Sequence, residues 1–188
     1  MHLVSIIIPC YNEQATISLL LDAIYAQTYP RASMEVVIAD GMSTDQTRTV
    51  IQNFHNSHAD LVVRVVDNPR RIIPAALNCA LNVAGGEYIL RLDAHSAPTR
   101  HYVERSIAAL EANKGDNVGG LWQIQPGNEG WVAKAIAAAA GHPLGVGDAR
   151  YRYSNQPGIV DTVPFGAFRR DLIDRIGRYD ENLLTNED

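Results

Sequence analysis

The sequence predicts an α/β fold in which a mostly parallel central sheet is flanked by helices. Two observations lead there. Short runs rich in β-branched residues alternate with amphipathic segments over the first half of the chain, the grammar of βαβ units. The residues that close those runs are polar and acidic, and they fall at the carboxyl ends of the strands, where open α/β sheets bind ligands.

Val4 to Pro9 reads as a buried first strand, and Ala15 to Gln27 as a helix with Ile17, Leu20, Leu21 and Ile24 at helical spacing. Glu35 to Asp40 is a second strand, Gly41 to Thr44 a turn, and Thr44 to Phe54 a helix capped by Thr44 or Asp45. Leu61 to Val66 is a third strand. Pro74 to Ala84 is a helix with proline near its start, ended by Gly85-Gly86. Glu87 to Leu92 is a fourth strand, Tyr102 to Lys114 a helix, and Asn117 to Gln123 a fifth strand. From Pro126 the pattern changes. An Ala-rich helix, Trp131 to Ala140, leads into a Gly-, Pro-, Arg- and Tyr-bearing loop from Gly141 to Gly158, long enough to be functional or mobile. Val160 to Phe168 reads as a further strand kinked at Pro164-Phe165-Gly166, and Asp171 to Ile176 as a short helix. No repeat or low-complexity linker interrupts the chain, so residues 1–188 read as a single domain, cut off at its C-terminal end.

At 188 residues the chain can bury most of its apolar surface without staples, and 46% hydrophobic with 20% charged residues is ordinary for a globular protein. A formal net charge of −5 argues against nucleic acid as a partner, but leaves room for a nucleotide held by a local cradle of donors. Cys10 and Cys79 show neither CxxC nor Cys/His spacing; free thiols are favoured over a bridge or a zinc site, which implies a reducing, cytoplasmic setting. No signal peptide precedes the first strand. No apolar stretch approaches the roughly 18 residues that span a bilayer; the closest, Trp131 to Val146, is broken by Lys134, His142 and Pro143.

Neither G-x-x-x-x-G-K-[ST] nor G-x-G-x-x-G follows the first strand, so ATPase and dinucleotide-oxidoreductase readings lose their usual support. Strand one ends instead in Pro9-Cys10-Tyr11-Asn12-Glu13, strand two in Asp40-Gly41-Met42-Ser43-Thr44-Asp45, and strand four in Asp93-Ala94-His95-Ser96. A lone Asp40 is more often a cap than a ligand. Capping alone explains poorly why three strands deliver carboxylates to one edge.

The run from Val4 through Glu13 resembles the opening of the family 2 glycosyltransferases, which have the GT-A (nucleotide-diphospho-sugar transferase) fold with a Rossmann-like N-terminal half. The similarity continues through Val37-Ile38-Ala39-Asp40-Gly41-Met42-Ser43-Thr44-Asp45, Ala76-Leu77-Asn78 and Gly85-Gly86-Glu87-Tyr88-Ile89-Leu90-Arg91-Leu92-Asp93-Ala94-His95. Phe165-Gly166-Ala167-Phe168-Arg169-Arg170 and the stretch from Gly177-Arg178-Tyr179-Asp180-Glu181 to Glu187-Asp188 complete it, in the family's order. Among family members, the Asp-Ala-His form is most similar to enzymes of bacterial exopolysaccharide assembly, of the succinoglycan type. The resemblance implies that residues 1–125 bind a nucleotide sugar and that 126–188 begin the acceptor side.

It also implies roles. Pro9, Tyr11 and Glu13 would line the base and ribose pocket, with Tyr11 stacking on a pyrimidine; an aromatic merely covering the sheet edge is an equal reading of Tyr11. Asp40 would accept from the uracil imide N–H. Arg71 is the candidate for the diphosphate, with Arg70 its equal on sequence grounds. Asp93 and His95 correspond to the family's Asp-x-Asp, where residues two apart at a strand end converge on one ion. One contacts the ribose or the metal and the other ligates the metal directly; Asp93 is thus also a nucleotide-binding candidate. A partly buried or capping histidine is the alternative for His95. Imidazole suits Mn²⁺ better than Mg²⁺, so Mn²⁺ is the expected cofactor. Glu187 and Asp188 match the family's Glu-Asp pair, with Asp188 as catalytic base and Glu187 supporting it; terminal acids are otherwise just solvated. Trp122 and Trp131 either stack on an acceptor sugar or, the favoured reading, pack in the core. Arg150, Tyr151, Arg152 and Tyr153 either hold an acceptor or donor or form an exposed loop, and Gly119-Gly120 allows close backbone approach.

The expected activity is therefore inverting transfer of a sugar from a UDP-sugar to a hydroxyl of a saccharide or lipid-linked saccharide acceptor. The resemblance places the full-length protein in the cytoplasm or at the cytoplasmic face of the membrane. The rivals are a nucleotidyltransferase, whose Gly-rich basic loop Tyr11-Asn12-Glu13 does not supply, and a non-catalytic nucleotide-binding module.

Overall fold

The computed structural model describes residues 2–147, 149–154 and 156–183. They form two compact units: a larger one that runs to Val118 and resumes at Phe165, and a smaller one, Gly119–Pro164.

The larger unit is built on a six-stranded sheet among the described residues, in the order β3-β2-β1-β4-β6-β5. Its strands are β1 (Val4–Cys10), β2 (Met34–Asp40), β3 (Val62–Asp67), β4 (Tyr88–Arg91), β5 (Asn117–Val118) and β6 (Ala167–Arg169). β1 to β4 are mutually parallel, and β6 runs antiparallel between β4 and β5. Alternation along β1 feeds two cores. Val4, Ile6 and Ile8 pack beneath α1 (Ile17–Tyr25), α2 (Thr47–Ser57) and α4 (Tyr102–Glu111). Ile7 packs with Val37, Ile89 and Phe168 against Ala76, Leu77, Ala80 and Leu81 of α3 (Ile73–Val83). Ile17, Leu20, Leu21 and Ile24 are all buried, as their spacing predicts.

Several elements are shorter than their sequence patterns. α4 stops at Glu111 because Asn113 takes φ 52° and closes a Schellman turn, with Lys114 N–H on the Ala109 carbonyl and Asn113 N–H on Leu110, both at 3.0 Å. The expected strand Asn117 to Gln123 keeps only its first two residues, since the chain leaves the sheet at Gly119 for the smaller unit. The strand expected from Val160 begins at Ala167. Pro164 cannot donate to a ladder and Phe165 lies at φ 53°, so pairing starts only beyond them. α2 begins at Thr47, so that Gln46, and neither Thr44 nor Asp45, stands at its N-cap; the Asp45 carboxylate, one residue earlier, accepts the Thr47 N–H at 3.0 Å.

In the smaller unit α5 covers Trp131–Ala140 as predicted. The stretch read as a loop from Gly141 to Gly158 holds α6 (Pro143–Val146) and a 3₁₀ turn, Arg150–Arg152; both are too short to leave an apolar periodicity. Trp131 is 81% exposed, which corrects the core-packing reading: α5 buries none of its residues. Trp122 is half-buried, with Tyr151 edge-on at 5.2 Å and the Arg152 guanidinium 4.9 Å from its ring. The chain closes, among described residues, with α7 (Asp171–Ile176) in the larger unit. No helix of the described residues is long and apolar enough to cross a membrane.

Candidate functional site

The strand order reverses between β1 and β4, both parallel, and a crevice opens there beyond their carboxyl ends. It holds a cavity of about 200 Å³. Pro9, Cys10, Tyr11 and Glu13 enter from β1, Gly41 from β2, Asn68 and Arg71 from beyond β3, and Asp93, Ala94 and His95 from beyond β4. Ile72, Ile73 and Ala76 at the start of α3 make its apolar floor. A larger hollow of about 290 Å³ beside β6 and α7 is lined by Arg169 and Arg175. Its cations are already engaged, Arg175 with Asp116 at 2.8 Å and Arg169 with the Tyr88 hydroxyl and the Leu110 carbonyl.

The loops after β1 and β2 are laced together. Asn12 N–H donates to Ser43 Oγ and Asn12 Oδ1 accepts from Thr44 N–H, both at 2.8 Å, and Glu13 N–H donates to Thr47 Oγ1 at 2.8 Å. Tyr11, 47% exposed, lies over Gly41: a Cβ at position 41 would meet its Cδ2 at 3.2 Å. Asn12, Met42 and Arg71, one in each loop around the crevice, have φ of 54°, 62° and 56°. Left-handed backbone at three non-glycine positions is costly; the lacing holds it at Asn12 and Met42, while the Arg71 N–H closes its own turn on the Asn68 carbonyl at 3.2 Å.

The structure separates the two arginines that the sequence could not. Arg70 pairs with Glu181, whose carboxyl is held below the usual range by the Asn78 amide and by Arg70. Arg71 lines the cavity, with its guanidinium 5.7 Å from the centre of the Tyr11 ring. Asp40 does not line the cavity. Its side chain is fully buried and accepts from Ser43 N–H at 3.0 Å, Ser43 Oγ at 2.5 Å and Arg48 Nε at 2.6 Å. Arg48 also reaches Asp67 at 2.6 Å, and Asp67 and Asp40 together raise the pKa of its guanidinium.

Asn68 is the residue that sequence reading missed. It is 3% exposed and lines the cavity. Its amide nitrogen donates to the Ile72 carbonyl at 3.1 Å, which fixes the flip, since that carbonyl can only accept. Its Oδ1 is thus left as a buried acceptor without a hydrogen-bond partner. A buried orphan acceptor is costly unless something supplies a donor. The only sequence signal was an Asn closing a strand beside Pro69, which reads equally as a turn.

Asp93 and His95 emerge together at the end of β4. The buried Arg91 donates to Asp93 Oδ1 at 3.3 Å, while Ser96 binds the Asp93 carbonyl through N–H and Oγ at 2.9 and 2.7 Å. His95 Nδ1 lies 3.3 Å from Glu13 Oε1. Among the described residues no group of three His, Cys, Asp or Glu is disposed to hold a metal. One carboxylate and one imidazole fit a cation shared with a ligand's oxygens, and not one caged by protein alone. Glu187 and Asp188 lie outside the described residues.

Both cysteines are free. Burial, followed by the charges of Asp40, Glu13 and Asp45, pushes the Cys10 thiol up to about 12. At pH 8 its thiolate fraction is on the order of 10⁻⁴, so Cys10 cannot serve as a nucleophile there. A disulfide reagent at pH 8 should leave Cys10 unmodified in the native protein and modify it once denaturant unfolds the chain. Rapid native labelling of Cys10, mapped by mass spectrometry, would contradict this burial.

The sequence model described as Glycosyl transferase family 2 matches residues 5–177. The succinoglycan biosynthesis protein ExoA of Rhizobium meliloti (strain 1021) is 33% identical over 97% of this chain and 54% of its own length. The mannosyltransferase PcManGT from Pyrobaculum calidifontis, solved with GDP-Man and Mn²⁺, superposes with a TM-score of 0.71 at 28% identity, covering 95% of this chain and 48% of that one. Residues 1–349 of S. aureus TarS, solved with UDP, superpose with a TM-score of 0.73 at 22% identity, covering 98% and 52%. The chain therefore spans about half the length of the relatives it matches, and it shares the GT-A fold with these structures. It is a member of glycosyl transferase family 2.

Proposed function

We propose that the crevice binds a UDP-sugar together with a divalent cation, Mn²⁺ in preference to Mg²⁺, and that the protein transfers the sugar with inversion to a hydroxyl of a saccharide, free or lipid-linked, in surface-polysaccharide synthesis at the cytoplasmic side of the membrane. The observation that carries this is the convergence of Asp93, His95, Tyr11, Arg71 and the orphan Asn68 Oδ1 on one cavity at the switch point. Tyr11 offers a face on which a pyrimidine stacks. Asn68 Oδ1 is an acceptor suited to an imide N–H, which uracil has and cytosine lacks. Arg71 supplies a guanidinium for phosphate oxygens. Asp93 and His95 would hold the cation, which when bound neutralises charge on the departing diphosphate. Glu187 and Asp188 are the proposed acidic pair, with Asp188 taking the acceptor proton as the hydroxyl attacks.

Calorimetry with UDP, with and without Mn²⁺, tests the reading. UDP should bind more tightly with Mn²⁺, and Asp93→Asn should remove that enhancement. A folded protein that binds UDP under neither condition would refute it. A second comparison assigns the base. UDP should outcompete CDP, and Asn68→Ala should lower UDP affinity about tenfold, the worth of one buried hydrogen bond, while narrowing the UDP–CDP difference. If Asp40→Asn narrows it and Asn68→Ala does not, the base is read by the Asp40 carboxylate.

A further inference from the structure

We infer that Glu13 is the positioning residue of His95: its carboxylate accepts a hydrogen bond from the imidazole Nδ1–H, so that the bare Nε2 is the nitrogen presented to a divalent cation held with the nucleotide. The inference rests on the donor-site reading above and gives Glu13 a task other than lining the ribose pocket.

His95 Nδ1 and Glu13 Oε1 stand 3.3 Å apart. A carboxylate can only accept, and a neutral imidazole carries one N–H and one lone pair. In the neutral ring the contact therefore puts the proton on Nδ1 and the lone pair on Nε2, the reverse of what a free histidine side chain prefers. Glu13 is the fixed member of the pair, its side chain 25% exposed against 63% for His95. Its N–H is tied to Thr47 Oγ1 at 2.8 Å, its second carboxylate oxygen takes the Thr16 hydroxyl, and its carbonyl takes the Ile17 N–H at 2.9 Å where α1 begins. Asp93, two residues from His95, is held from below by Arg91. Among the described residues Glu13, Asp93 and His95 do not form a group disposed to hold a metal together, so the contact of Glu13 is with the imidazole. Histidines that bind metals commonly donate their other N–H to such a carboxylate, which sets the tautomer and raises basicity.

Two measurements test this. Long-range ¹H–¹⁵N correlation on the ligand-free, histidine-labelled protein should show His95 protonated at Nδ1. Glu13→Ala should shift the proton toward Nε2, and Glu13→Gln, whose amide oxygen still accepts, should keep it on Nδ1. An Nε2–H majority in the native protein, or a ratio unchanged by Glu13→Ala, overturns the inference. In Mn²⁺ titrations with UDP present, Glu13→Ala should weaken metal affinity by about 10- to 100-fold. Glu13→Gln should recover much of the loss, and in a His95→Ala background Glu13→Ala should add nothing. The loss should fall on metal affinity far more than on metal-free UDP affinity; an equal loss in both means that Glu13 acts on the nucleotide directly and overturns the positioning role. Absence of UDP binding by the unsubstituted protein would sink the donor-site reading instead, and the tautomer measurement would still decide the relation of Glu13 to His95.

Discussion

Gly86→Val should cost the larger unit about 4 kcal/mol or more, enough to remove most of a typical domain's stability. A Cβ at position 86 would fall 2.6 Å from both the Ser5 backbone nitrogen and Ser5 Oγ, and 2.9 Å from the Leu3 carbonyl oxygen. Two of these three atoms are backbone, so no rotamer change relieves the clash. The chain turns here from α3 into β4, and the turn is already full. Gly86 N–H donates to Ser5 Oγ at 2.8 Å, Ser5 donates to the buried Glu35 carboxylate at 2.6 Å, and Gly85 N–H donates to that same carboxylate at 2.5 Å. Glu87 N–H then reaches the Leu3 carbonyl at 2.9 Å. Moving Ser5 aside would therefore take a hydrogen bond from the buried Glu35 as well as break the entry to β4, the strand that leads into Asp93 and His95. Urea denaturation followed by far-ultraviolet circular dichroism reads the effect. A midpoint within experimental error of the unsubstituted protein would mean that the close approach at Gly86 is not real. Gly85→Ala is the internal comparison: its Cβ would meet the Glu35 carboxylate at 3.5 Å and Leu3 Cδ2 at 3.9 Å, both ordinary contacts, so its loss should be far smaller.

What the sequence made legible is what depends on short-range pattern. β1, β2 and β4 are mostly apolar, almost wholly buried runs because both faces are covered, and their ends could be located within a residue or so. Asp93 and His95 could be placed on one edge because a strand end brings residues two apart to the same side. What stayed hidden depends on partners distant in sequence. Arg70 and Arg71 are adjacent and chemically alike; Glu181, 111 residues on, pairs with the first and leaves the second at the cavity. Asn68 acquires its meaning only when the Ile72 carbonyl claims its nitrogen and burial isolates its oxygen. The strands β5 and β6 were overextended for a related reason. β-branched composition marks chain that can be extended, but pairing stops where Gly119 leaves the sheet and starts only after Pro164 and Phe165. The bulk of Trp131 favours the core, but bulk says nothing about what a helix has to pack against.

Arg48→Ala should destabilise the larger unit by about 3 kcal/mol, and Asp40→Asn added to it should restore much of that loss. Asp40 is an acid at a strand end whose side chain is wholly buried, and Arg48 is the cation that answers it at 2.6 Å. Removing one partner of such a pair leaves an uncompensated charge in a site that water does not reach, which costs about 3–5 kcal/mol in general. The lower end applies because the Arg48 side chain is itself 43% exposed, so truncating it opens a path by which water can partly solvate Asp40. The second partner, Asp67, is 60% exposed, and its 2.6 Å bridge to Arg48 adds little, as surface pairs do. An amide at position 40 removes the buried charge; with its oxygen in the place of Oδ2 it still accepts from Ser43 N–H, and its nitrogen, in the place of Oδ1, can donate to Ser43 Oγ. The double variant should therefore be more stable than Arg48→Ala alone, although each single change is destabilising. Simple additivity in a urea-denaturation cycle would mean that Asp40 and Arg48 do not act on each other. Asp40 would then be free to turn its carboxylate toward a nucleotide base, the role that the sequence resemblance implies. Strong coupling instead makes Asp40 the anchor of the Gly41–Thr44 turn on which Tyr11 rests, and leaves Asn68 as the group that meets the base edge.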